Sequence, residues 1–191
     1  MKNIFFILVV IFTSSHIVSA QLGGMRAYVG ITSMTNQDNN VNPEGQVYSG
    51  YHIGADGRLM SGTMSFLVGG RYTAVSRVPQ DGIQVFGHDA QMSILNGRVG
   101  LGYNIITFGE LFSIRTKALA SFDLILSTTG DPIAVPGYQL NDGWLGGVTG
   151  LGFDVGPVFI DFEYEFGVLN AYFQKADSKF NSLSVSAGFF F

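Results

Sequence analysis

From about residue 25 to the last residue, apolar and polar positions alternate with a period of two, interrupted by stretches rich in Gly, Pro, Asn and Asp. That period marks strands with one apolar and one polar face. It is clearest over 158–167, where Val158, Ile160, Phe162, Tyr164 and Phe166 oppose Asp161, Glu163 and Glu165. It returns at the end of the chain, where Leu183, Val185, Ala187, Phe189 and Phe191 oppose Ser182, Ser184, Ser186, Gly188 and Phe190. Six further segments alternate in the same way, at about 25–34, 48–59, 63–76, 93–105, 111–126 and 143–155. Each is near the 9–11 residues of a tilted membrane-crossing strand. Short turns are expected near 59–62, 107–110 and 156–157, and long polar loops near 35–47, 77–92, 127–142 and 168–181. An even strand count with alternating short and long connections predicts an all-β fold, an eight-stranded antiparallel up-and-down transmembrane β-barrel.

The same pattern describes a soluble barrel turned inside out, and two features choose between them. Glycines 54, 69, 100, 102, 146, 150, 152 and 188 share the polar face, where a narrow lumen needs space for long side chains; on a water-facing surface they would only weaken the strands. The apolar face carries Tyr51, Tyr72, Tyr103 and Tyr164, as an interfacial aromatic girdle does. The apolar face is therefore expected to meet lipid.

The N-terminus departs from the pattern. Lys2 precedes an unbroken apolar run from Ile4 to Phe12, followed by Val18-Ser19-Ala20. A basic start, a short apolar core and a small-residue end describe a cleaved signal peptide, residues 1–20, with the barrel domain over 21–191. The run is far short of the roughly 20 residues a membrane helix needs. The chain has no cysteine, which excludes disulfides and thiolate chemistry. Without Lys2 the formal charge moves from −4 to −5, so no nucleic-acid partner is expected.

The polar face carries six cations, Arg26, Arg58, Arg71, Arg98, Arg115 and Lys117, and six anions, Asp56, Asp123, Asp154, Asp161, Glu163 and Glu165. An eight-stranded barrel is only wide enough inside for its own side chains, so these twelve are expected to form a neutral ion-pair network. An open selective pore would carry an excess of one sign. Asp161, Glu163 and Glu165 on one strand face are the residue types of acid–base catalysis, but a filled lumen leaves no place for a substrate, and they read as the acidic half of the network. The two histidines of the barrel domain, His52 and His88, fall on different elements, so no metal site and no cofactor is expected. The 36–40 stretch lacks the ligand spacing of an EF-hand. The long-loop end is acidic, with Asp38, Glu44, Asp81, Asp89, Asp131, Asp142 and Asp177 against Arg77, Lys175 and Lys179; it reads as a rim that meets anionic lipopolysaccharide through divalent cations. Tyr138, Trp144, Tyr172 and Phe173 are expected near the loops as partner contacts or interfacial belt residues.

The terminal strand ending in Phe189-Phe190-Phe191 resembles that of bacterial outer-membrane barrels, in which the terminal Phe is read by the barrel-assembly machinery; the resemblance makes Phe189 and Phe191 an assembly signal. The charged lumen is similar to the plug of OmpA and OmpX barrels. Together with Gly50-Tyr-His-Ile-Gly-Ala-Asp-Gly-Arg58 and Phe66-Leu-Val-Gly-Gly-Arg-Tyr72, the chain resembles the PorT-like small outer-membrane barrels, some of which take part in protein secretion. The resemblance implies a monomeric, non-enzymatic outer-membrane protein with a structural or interaction role through its loops, in contact with lipid, lipopolysaccharide and secretion-complex proteins. A narrow channel for small solutes and a lipid-modifying enzyme are the alternatives. Small lipid A deacylases of this architecture show His-x-Ser, whereas His52 is followed by Ile53-Gly54 and His88 by Asp89-Ala90.

Overall fold

The computed structural model describes residues 23–37, 47–77, 92–109, 111–128, 139–173 and 177–191. The leader, the loop residues Asp38, Glu44, Asp81, Asp89, Asp131 and Lys175, and His88 and Tyr138 lie outside them. Eight strands follow one another: β1 (Gly23–Asn36), β2 (Val47–Ser61), β3 (Met64–Arg77), β4 (Met92–Phe108), β5 (Phe112–Thr128), β6 (Gly143–Val155), β7 (Val158–Gly167) and β8 (Phe180–Phe190). Each pairs antiparallel with its sequence neighbour, and β8 returns to β1 to close the barrel. The seam runs from Arg26 opposite Phe190 to Asn36 opposite Phe180. It ends in a mutual main-chain pair, Met25 N–H to Phe191 O at 3.2 Å and Phe191 N–H to Met25 O at 2.8 Å.

The stagger of the sheet sets the width. Stepping between paired residues from Met25 through Gly57, Val68, Val99, Ala120, Gly147, Phe166 and Asn181 returns to β1 at Thr35, ten residues beyond the start. Eight strands with a stagger of ten tilt by about 40°. Such a bore lets side chains from opposite walls meet.

Several strands exceed the alternating segments that announce them; β4 and β5 have 17 residues each. The ladder needs only N–H and C=O groups, so it continues past the point where side chains stop alternating. Between β4 and β5 the register slips at Ser93/Ile94 and at Asn104/Ile106, bulges that leave Ile105 outside the pairing. The short turns at one end place Gly62, Gly109 and Gly156 at positive φ. A Cβ at these sites would touch nothing within 4 Å, so the requirement is conformational.

The faces are those of a barrel built for lipid. Val29, Ile53, Val68, Leu101, Phe122, Leu151, Phe162 and Leu183 are 46–58% exposed on the outside, a continuous apolar surface that water would not tolerate. Every one of the twelve charged residues read from the sequence is buried inside, none more than 8% exposed.

Candidate functional site in the lumen

β7 organises the interior. Its alternation aims Asp161, Glu163 and Glu165 inward at successive levels. Asp161 accepts from Lys117 Nζ at 2.7 Å and from Arg115, with Arg26 at 3.5 Å. Glu163 accepts from Arg98 at 2.5 Å, from Arg71 at 3.2 Å and from Lys117. Glu165 accepts from Arg71 at 2.9 Å and from the Ser121 hydroxyl at 2.5 Å. One strand thus holds five of the six lumenal cations. The lumenal glycines make this possible: a Cβ at Gly152 would lie 2.5 Å from both Arg115 Cζ and Asp161 Oδ1.

The remaining charges flank this group. Asp56 accepts from Arg26 at 2.8 Å and from the Tyr28 hydroxyl at 3.2 Å. Asp154 accepts from Arg115 Nε at 2.9 and 3.1 Å and from Ser113 at 3.0 Å. Arg58 stands 3.6 Å from Asp154 and donates to Asn104 Oδ1 at 3.0 Å. Asp123 departs from the expectation. Among the described residues its carboxylate meets an amide, Asn96 Nδ2 at 2.8 Å, in place of a cation. On its own strand it lies three inward positions beyond Lys117, beside Asn96, whose Nδ2 also donates to Glu165 at 3.3 Å.

Two apolar layers enclose the charges, and sequence reasoning missed both. Towards the short turns, Phe159 and Phe190 pack at 5.1 Å between ring centroids, under the guanidinium groups of Arg26, Arg58 and Arg115 at 4.7–5.8 Å. Towards the long loops, Met34, Tyr48, Val75, Met92, Ile94, Trp144, Ala171, Tyr172 and Phe180 form one buried cluster. Trp144 and Tyr172, expected as belt or partner residues, therefore point inward, 4% and 2% exposed. Trp144 has the inward parity of Gly146, and the pairing of Leu140 with Tyr172 lays two loop segments across the opening. Burial pushes the Tyr172 phenol above its ordinary pKa. Phe173 remains on the surface at 59% exposure, as do Asp142 and Asp177.

His52 is also drawn into the lumen. Its Nδ1 lies 2.7 Å from Thr32 Oγ1 and its Nε2 lies 2.8 Å from Ser186 Oγ. A Ser–His contact is the geometry of an activated nucleophile, but both residues are at most 2% exposed. The cavity beside Arg71, Asp123 and Glu165 measures ≈20 Å³, room for a water molecule.

No family model matches the chain. No curated protein matches it either. Among solved structures it is similar to Neisserial surface protein A, with a TM-score of 0.54 and 12% identity over 87% of this chain and 96% of that one. Ail, the attachment invasion locus protein of Yersinia pestis, solved with the heparin analogue sucrose octasulfate, aligns with a TM-score of 0.47 and 15% identity over 89% and 99%. What the chain shares with the Neisserial protein is the fold.

Proposed function

We propose that this chain is an integral barrel of the bacterial outer membrane, without catalytic activity, that holds long surface loops for a structural or interaction role. The observation that supports it is the filled lumen: an apolar layer, a neutral charged layer and an aromatic layer stacked inside a lipid-facing wall. A pore would need an opening through those layers. Residues 1–20 export the chain, and Phe189 and Phe191 present it to the barrel-assembly machinery. The acidic residues of the loop end, Asp142 and Asp177 among them, meet lipopolysaccharide through divalent cations. The resemblance to PorT-like barrels points to a secretion or envelope complex as the partner of the loops.

Planar-bilayer recording tests this reading. The reconstituted wild-type barrel is expected to give no steady conductance, and Arg71→Ala is expected to raise it by removing the link between Glu163 and Glu165. A large ion-selective wild-type current would overturn the proposal.

A further inference from the structure

Among the described residues the barrel is open at one end. Below the Phe190 layer, on the side of the short turns and Phe191, lies a cavity of ≈360 Å³, bounded by Arg58, Asn104, Phe112, Asp154, Phe190 and Phe191 among others. That volume is at the lower end of small-molecule sites. Its walls are apolar and its floor is polar.

Arg58 gives the floor its chemistry. The residue is 6% exposed, yet its Nε has no hydrogen-bond partner. The Asp154 carboxylate is engaged by two bonds from Arg115 Nε and one from Ser113. It stays 3.6 Å from Arg58, beyond hydrogen-bond distance. Asn104, a neutral acceptor, takes one N–H of the guanidinium. Arg58 is thus a buried cation lining the cavity, and its nearest carboxylate is already engaged by Arg115 and Ser113. A carboxylate or phosphate oxygen on the cavity-facing edge of a guanidinium forms a charge-assisted pair. The Phe112, Phe190 and Phe191 rings make the rest of the site apolar.

We propose that this vestibule binds a small amphiphilic carboxylate, its anionic group on Arg58 and its apolar body against the phenylalanine walls. The site needs only the folded barrel and does not depend on what the loops engage.

The test uses the barrel in lipid nanodiscs with ¹³C-methyl methionine, Met60 at the cavity wall being the reporter; its signal is identified by loss in Met60→Leu. Phenylacetate is titrated against phenylacetamide and inorganic phosphate. The expected result is a saturable Met60 shift with phenylacetate, with both controls weaker by about tenfold or more. Arg58→Gln should weaken phenylacetate by about the same factor and leave the amide unchanged. Leu111→Trp, which adds an indole at an exposed residue lining the cavity, should abolish saturation, and it decides the matter if Arg58→Gln does not fold to a heat-modifiable barrel. Equal binding of acid and amide, equal binding of phosphate, retained binding in Leu111→Trp, or no saturable shift at all would each overturn the proposal.

Discussion

Glu163→Gln isolates the contribution of the charge network, because it keeps the side-chain shape and removes one negative charge. The partners of Glu163 are not equally exposed to the loss. Lys117 keeps Asp161 at 2.7 Å and Arg71 keeps Glu165 at 2.9 Å. Arg98 keeps only Asp56 at 3.9 Å and the face of Tyr28 at 5.7 Å. The substitution therefore strands one buried guanidinium, and breaking a buried pair from one side costs about 3–5 kcal/mol. Asp123→Asn is the matched control. Its carboxylate faces an amide, and the new Asn can still accept through Oδ1, so its cost should stay within about 1 kcal/mol. Urea unfolding in lipid vesicles, followed by fluorescence of the single tryptophan, Trp144, reads both. Equal stability of Glu163→Gln and wild type would refute the network as a source of stability, as would a larger loss in Asp123→Asn than in Glu163→Gln.

Two further outcomes are expected. Gly152→Val should lose about 1–3 kcal/mol from overpacking against Arg115 and Asp161, whereas Gly57→Ala, whose nearest neighbour would be 3.7 Å away, should change stability by less than about 0.5 kcal/mol; the same unfolding assay separates them. Deleting Phe191 removes one main-chain pair at the seam, about 1–2 kcal/mol in a refolded barrel. In cells it should sharply lower the heat-modifiable barrel recovered from outer membranes, and an unchanged yield would count against the terminal Phe as an assembly signal.

The barrel was legible because lipid and a narrow bore each impose a rule on alternate residues, and β7 obeys both without exception. Continued parity also carried a signal that loop composition obscured: Trp144 lines up with Gly146 and Phe180 with Ser182, so both were due to point inward. What no single strand could show was the pairing. Whether Asp123 meets a cation, or His52 meets Ser186 on a strand two positions round the wall, depends on the ten-residue stagger, which exists only once eight strands have closed. The vestibule was hidden for the same reason, since Arg58, Asn104 and Asp154 come from three strands.

The concentration of carboxylates on β7 bears on the order in which the molecule can be made. Arg26, Arg71, Arg98, Arg115 and Lys117 belong to β1, β3, β4 and β5, and each finds an acceptor on the penultimate strand. A growing sheet that lacks β7 has an excess of positive charge on its concave side and must keep it hydrated. Drying of the interior and arrival of the last hairpin are therefore one event. Assembly is cooperative at its end, and a half-built sheet is held open by its own electrostatic repulsion until β7 and β8 enter together.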